Sequence, residues 1–353
     1  MTAVNLRVST LLTDDVTLYI LDHSHKHKEM YTNINNTGLF SKVMLIKTKK
    51  FNKHWLQKYK ITRYSIKAIE YLLYARITSK FIKDTTKYNQ FWVSFMDRSS
   101  WLIFLTYKKR NKNLILNFFE DGIGSYQLLM MQQNKLDQKL SHLLGINTVF
   151  EEIQSLYLYQ PSLVTKTLYP SIKKKVLPKI SDFNNKKNLN KIFSFEANDI
   201  ALLKYKIIFF DSPFSSNKIN KKQLEIIDFF IETLKDSFCI KVHPATLLKH
   251  DKYSKSISNV HSSIEMLCLN TDVSQNVFIS IMSTVGISPK LMFNQEPVVI
   301  YLYKLLNIDK TKFGEYFDFL EAFSHSYTKP NQFFIPESIQ ELKLILKNLN
   351  SNG

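Results

Sequence analysis

Two doubly wound α/β domains are what this sequence predicts, on three observations. Apolar runs of strand type alternate with segments of helical periodicity in both halves of the chain. Most of those runs stop abruptly in a polar cluster, as strands do where a parallel sheet presents its carboxyl ends to a ligand. Between the halves, the first prolines of the chain arrive close together (Pro161, Pro170, Pro178) and run into the Lys- and Asn-rich stretch Lys173 to Lys191. A chain of 353 residues, 44% apolar and 13% aromatic, is long enough for two such cores. The expected division is an N-terminal domain over 1–170, a basic linker over 171–200 and a C-terminal domain over 201–353.

Thr2 to Leu12 reads as a helix, with Val4, Val8, Leu11 and Leu12 on one face. A helix is an unusual first element for such a domain, so a strand before Met1 is expected to be missing or dispensed with. Val16 to Leu21 and Val43 to Ile46 read as strands, Tyr64 to Phe81 as a helix and Phe91 to Phe95 as a strand. Trp101 to Tyr107 is a buried helix or strand. Leu114 to Phe119 is a strand, Tyr126 to Leu144 a helix, and Tyr157 to Tyr169 closes this half.

In the second half, Tyr205 to Phe210 is a strand ending in Asp211-Ser212-Pro213. Lys222 to Lys235 is an amphipathic helix with Leu224, Ile227, Phe230 and Ile231 inward. Phe238 to Val242 is a strand ending in His243-Pro244, and Ser262 to Leu269 carries Glu265 in apolar surroundings. Val277 to Ile281 is a strand ending in Ser283-Thr284-Val285-Gly286. Pro297 to Tyr303 is a further strand and Ile339 to Leu349 a final helix.

The formal net charge of +18 favours anionic partners, although abundant Lys, Asn and Ile also reflect an AT-rich composition. Lysines are spread along the chain with no zinc, helix-turn-helix or RNA-binding signature, so nucleic acid is not expected. Cys239 and Cys268 lie in apolar segments without metal spacing, which fits a reducing compartment. No apolar run has the length of a membrane span and no signal peptide is readable, so a cytoplasmic or peripheral protein is expected. His23, His25 and His27 alternate as metal ligands could, but without a fourth ligand they read as a loop. Asp14-Asp15 reads as a solvated turn, and no metal is expected.

The segment Leu114 to Tyr126 concentrates the chemistry. Its apolar run breaks into Glu120-Asp121-Gly122-Ile123-Gly124, which holds two of only 7 glycines in the chain. Glycine serves where φ must be positive or something must approach closely. Adjacent carboxylates at a strand mouth suit a general base, and an ordinary turn would use the same residues. Three clusters, Glu120-Asp121-Gly122, His243-Pro244 and Ser283-Thr284, sit at strand ends. Ser283 and Thr284 lie between a strand and an expected helix, where free N–H groups could bind phosphate or a simple N-cap could form.

In this combination and order the chain resembles the bacterial sialyltransferases of glycosyltransferase family 52, with the polysialyltransferases as near relatives. The resemblance runs from about Leu114 to Tyr303. It implies a GT-B-like architecture, with the two Rossmann-type domains facing across a cleft. It further implies an inverting, metal-independent enzyme transferring sialic acid from CMP-sialic acid to a terminal galactose or sialic acid of a surface glycan, free or lipid-linked. Glu120 would be the base, with Asp121 positioning it or the acceptor, and His243 would assist the phosphate leaving group. Pro244, Glu265, Ser283 and Thr284 would bind the donor, Glu265 through the ribose hydroxyls, with Gly122 and Gly124 shaping the loop. No cofactor is implied. The family's N-terminal strand and the turn after it are not intact, and Thr2-Ala3-Val4-Asn5 is the candidate remnant. Other readings stay open: a transferase of this fold using another CMP-sugar or a CDP-alditol, or a non-enzymatic basic protein on a membrane or nucleic acid. The lysine run could dock on an anionic lipid surface.

Overall fold

The computed structural model describes residues 1–22, 27–47, 78, 82–127, 138–139, 142–143, 145–164, 171–180, 183–214, 216–243 and 253–351. The expected helix over Tyr64 to Phe81, together with His23, His25 and Pro244, therefore lies outside the described residues, Thr78 apart. The chain forms two compact units, Met1–Pro178 and Lys179–Gly353. Both are α/β, and every strand pairing among the described residues is parallel.

In the first unit, helix α1 (Thr2–Ser9) precedes strand β1 (Thr17–Leu21), which pairs with β2 (Lys42–Ile46) across helix α2 (His27–Asn35). His27 thus opens a helix. A second sheet has the order β3 (Gln90–Val93), β4 (Ile115–Phe119), β5 (Ile153–Leu158), β6 (Lys173–Val176). The ambiguous apolar run at Trp101 is helix α3 (Arg98–Arg110), buried from Ser99 through Tyr107. Its ends decide the matter: Asp97 accepts a hydrogen bond from the Ser100 amide at 2.7 Å, and Lys108, Lys109 and Arg110 occupy the last turn, where cations favour the dipole. In α1, Val4, Asn5 and Leu6 turn inward; of the expected face Val4 and Leu11 are buried, Val8 is half-buried and Leu12 is exposed, a partial rotation. The rotation lets Asn5 donate to the carbonyl of Pro178 at 2.7 Å.

The stretch 171–200 is not an unstructured connection. Lys173–Val176 forms edge strand β6 with all four residues exposed, Phe183–Ile192 forms helix α6 of the second unit, and the division falls between Pro178 and Lys179. Two single-turn helices, α4 (Ile123–Tyr126) and α5 (Val149–Glu152), flank residues that are largely undescribed.

The second unit carries β7 (Ile207–Phe210), helix α7 (Asn217–Leu234), β8 (Phe238–Lys241), helix α8 (Ile264–Asn270), β9 (Val277–Ser280), β10 (Val298–Tyr301), helix α9 (Lys310–Ser324), β11 (Phe333–Phe334) and helix α10 (Ile339–Ser351). The sheet order β11-β10-β9-β7-β8 is a doubly wound order. The chain leaves β7 toward β8 on one side and returns to β9 on the other. Right-handed crossovers in opposite directions put the connections on opposite faces and open a crevice between the carboxyl ends of β7 and β9. Burial on both faces explains the uninterrupted apolar strands: Ile207, Ile208, Phe209, Ile240 and Ile279 are all fully buried. Phe230 of α7 packs between Phe209 and Phe238, with ring centroids 6.0 and 5.5 Å away.

The inward face of α7 is Gln223, Ile226, Ile227, Phe230 and Leu234: Ile227 and Phe230 point inward as expected, while Leu224 and Ile231 are only half-buried. A polar residue sits on the buried side for a reason given below.

Candidate functional site

Glu120 follows the last residue of β4. Its amide donates to Tyr157 O of β5 at 2.9 Å, which extends the ladder by one residue and fixes its backbone. The side chain turns inward and is 3% exposed. One oxygen, Oε2, accepts both from the Tyr126 hydroxyl at 2.6 Å and from the Tyr159 amide at 2.8 Å. Burial pushes the carboxyl up to about 7; the hydrogen bonds from Tyr126 and Tyr159 pull it down, and the charge of Asp121 pushes it further up. Asp121 itself is exposed, and its amide donates to Ser125 Oγ at 2.9 Å. A buried carboxyl that shares its proton near neutrality can take a proton from a substrate hydroxyl at physiological pH.

The turn depends on Gly122, with φ 104° and ψ −165°, a region that side chains exclude. Gly124 lies in the following helical turn, and among the positive-φ glycines are Gly38, Gly122 and Gly145 but not Gly124. The conformational argument for glycine therefore holds at one of the two positions.

In the second unit, Asp211 follows β7 and is 3% exposed. Its amide donates to Lys241 O at 3.1 Å. Oδ1 accepts from Gln223 Nε2 at 2.6 Å, and Oδ2 accepts from the His243 backbone N–H at 3.3 Å. This is why Gln223 occupies the buried face of α7. His243 is exposed, two residues beyond β8, and its backbone is held by Asp211. Ser212 Oγ and Gln223 Oε1, both buried here, have no hydrogen-bond partner among the described residues. Asp211, expected from the sequence only as the end of a strand, holds the His243 backbone in place.

Lys241, at the end of β8, donates to Val260 O at 2.8 Å. Burial lowers its pKa, while the nearby acids Asp199 and Glu265 raise it. Glu265 stands in the first turn of α8, half-buried, with its charge felt by Lys241.

Ser283 and Thr284 lie just past β9, at the crevice. The expected helix after them is a three-residue 3₁₀ turn, Thr284–Gly286, followed by the short π-helical stretch Pro289–Phe293. A turn this short supplies no helix dipole for a phosphate, because the dipole sums over aligned peptides. Ser283 acts as a cap, its Oγ accepting from the Val285 amide at 3.3 Å. The buried Tyr301 hydroxyl donates to Ser283 O at 2.6 Å and fixes the turn against β10. Gly286 completes it: a Cβ there would stand 2.7 Å from Tyr301 Oη.

Glu120, Asp121, Gly122 and Gly124 thus belong to the first unit, and His243, Glu265, Ser283 and Thr284 to the second. Within the second, hydrogen bonding joins His243 to Asp211 and electrostatics join Glu265 to Lys241. Tyr126, Tyr159 and Gln223 escaped the sequence reading. Among the described residues no group of three or more His, Cys, Asp or Glu could hold a metal ion, and no helix is long and apolar enough to cross a membrane. Cys239 and Cys268 are free and buried, and burial pushes the Cys239 thiol up to about 11.

Compared with the models of known protein families the chain matches none, and no curated protein matches it in sequence. Among solved structures it is similar to the S. aureus MnaA–UDP co-structure, with a TM-score of 0.40 and 10% identity over 81% of this chain and 78% of that one. It is also similar to UDP-GlcNAc 2-epimerase from Methanocaldococcus jannaschii, with a TM-score of 0.40 and 14% identity over 94% of this chain and all 100% of that one.

Proposed function

We propose that this chain is an inverting, metal-independent sialyltransferase. It would move sialic acid from CMP-sialic acid to a terminal galactose or sialic acid of a bacterial surface glycan. The observation that carries the reading is Glu120: a carboxyl buried at the carboxyl end of a parallel strand, pushed up to about 7, with both hydrogen bonds on one oxygen. That is the equipment of a general base for an acceptor hydroxyl.

In the proposed reaction Glu120 removes the proton of the acceptor hydroxyl as its oxygen bonds to the anomeric carbon of the donor. The bond from that carbon to the phosphate oxygen breaks, CMP leaves with the electron pair, and the anomeric configuration inverts. His243 stabilises the growing charge on the leaving phosphate by donating a hydrogen bond or proton. Ser283 and Thr284 offer their hydroxyls to the same phosphate, and Glu265 accepts from the ribose hydroxyls. Asp121 orients the acceptor. A monophosphate leaving group requires less neutralisation than a diphosphate, so side chains can serve in place of a metal. The exposed Lys173, Lys174 and Lys175 of β6 would hold the enzyme near an anionic lipid surface carrying the acceptor. Lysines there also guard the edge of the sheet.

The test is CMP release from CMP-sialic acid with and without lactose and EDTA, for the wild type, Glu120→Gln and His243→Ala. Release that rises with lactose, survives EDTA and collapses in both variants supports the reading. A folded wild type that releases no CMP overturns it.

A further inference from the structure

We propose that Tyr126 is a positioning residue for Glu120: its hydroxyl holds one carboxyl oxygen fixed, so that proton transfer runs through the other. This rests on the reading of Glu120 as the base. Tyr126 closes the turn that Gly122 begins, six residues after Glu120, and is 1% exposed. Its Oη donates to Glu120 Oε2 at 2.6 Å and accepts from the Gln160 amide at 3.3 Å. The Gln160 N–H thereby orients the hydroxyl: with one lone pair occupied, its proton is directed to the carboxylate. The Tyr159 amide approaches the same Oε2 at 2.8 Å. Two donors on one oxygen leave Oε1 as the more basic of the two and the one without either bond.

Among the described residues the groups that act on the carboxyl come from three segments. From its own segment comes Asp121, whose charge opposes ionisation of Glu120. From α4 comes Tyr126, itself pushed well above its ordinary value by burial and by the charge of Glu120. It stays a donor at any working pH. From the segment after β5 comes the Tyr159 amide, while the Tyr159 hydroxyl accepts from Asn5 of α1 at 3.4 Å. Among the described residues no cation acts on Glu120; the groups that favour its ionised form are the hydrogen bonds from Tyr126 and Tyr159.

The experiment follows thermal unfolding from about pH 5 to 9 for the full chain and for Tyr126→Phe, each with Glu120 and with Glu120→Gln. The difference between the Glu120 and Glu120→Gln forms grows as pH rises past the unfolded carboxylate value and levels off at the folded-state midpoint of Glu120, which is the quantity read. Phenylalanine removes a charge-assisted hydrogen bond, so this midpoint should rise by about one to two pH units. Replacing Tyr126 by 3-fluorotyrosine, a stronger donor of nearly the same size, should move it down, which covers the case of a poorly folded phenylalanine variant. In CMP release, the acid limb of the pH profile should move with the midpoint, with kcat falling about tenfold or more at neutral pH and KM for the donor unchanged. A midpoint unmoved in both variants overturns the proposal. So does a loss of kcat that is uniform with pH, since that marks a structural role. The unfolding midpoints need no turnover. A wild type that releases no CMP would therefore sink the sialyltransferase reading, while the midpoints still decide the hydrogen bond.

Discussion

Glu120→Gln should make the protein more stable in alkaline solution and catalytically dead. The folded carboxyl lies at about 7 against 4.5 in an exposed reference, because burial disfavours the charged form. Between those values the folded state keeps a proton that the unfolded chain has lost, so stability falls as pH rises through that window. The difference corresponds to about 3 kcal/mol once Glu120 is fully ionised. Glutamine removes this cost while its oxygen can still accept from Tyr126 and the Tyr159 amide. The first unit ends at Pro178, and for a domain of that size the gain amounts to roughly 6–12 °C in Tm. Differential scanning fluorimetry from about pH 5 to 9, wild type beside variant, is the assay. The two curves should converge toward the acid end and diverge through neutrality. A difference that stays constant across the range, or a variant less stable near pH 9, would refute the claim that Glu120 is buried at a cost.

The other expectations concern backbone and second-sphere contacts. Gly122→Ala forces a side chain into a region reserved for glycine (φ 104°) and should cost about 1–3 kcal/mol by chemical denaturation, with activity lost along with the turn. Asp211→Ala strips the His243 N–H and Gln223 Nε2 of their acceptor, costing about 1–3 kcal/mol per buried group left unpaired. Donor binding by calorimetry should weaken more in Asp211→Ala than in Asp211→Asn, which keeps one acceptor oxygen. Gly286→Ala places a Cβ 2.7 Å from Tyr301 Oη and 3.0 Å from Val299 Cγ1; overpacking of about 1–3 kcal/mol is expected in a denaturant titration, with Ser283 displaced from the β9 end.

The elements legible in the sequence were those with two buried faces. Ile207–Phe210, Phe238–Lys241 and Val277–Ser280 are central parallel strands, and an unbroken apolar run can hardly be read otherwise. Lys173–Val176 was invisible for the converse reason. An edge strand with every residue exposed has no apolar pattern, and its lysines look like a linker while they protect a sheet edge. Helix α9 left a usable trace in Asp309, whose Oδ1 caps the Thr311 amide at 2.9 Å, but Gly314 interrupts its first turns. In the site, Glu120 and His243 could be found because they sit where strands stop. Tyr126 could not, since nothing in residue spacing ties a tyrosine to a carboxyl six positions earlier across a glycine turn. Gln223 was half legible. It falls in line with Ile226, Ile227, Phe230 and Leu234, and a polar side chain within an apolar stripe implies a buried partner.

Two buried carboxylates in the first unit separate architecture from chemistry. Asp84 is 5% exposed and precedes β3, at the amino ends of the strands. Burial alone would raise its pKa, but hydrogen bonds from Tyr88, Thr86 and Tyr19 win and hold it well below the ordinary carboxylate range. Lys42 adds a cation at 3.6 Å, and the main-chain carbonyl of Asp84 accepts from Arg110 at 2.5 Å. Its contribution to stability is present above the unfolded carboxylate pKa and is lost as pH falls through the folded value. A group so fully satisfied has no affinity for a substrate proton. Glu120 is as little exposed but lies deeper, so desolvation weighs more on it, and it has two donors on one oxygen where Asp84 has donors on both oxygens and a lysine beside it. The same fold thus stabilises one charge and leaves the other unfavourable. The unfavourable one lies at the carboxyl edge, where parallel sheets bind their ligands. A scaffold that needed only a polar plug there could have used glutamine and been more stable at neutral pH. An acid held there at that cost supports the proposal that Glu120 exchanges a proton with a substrate.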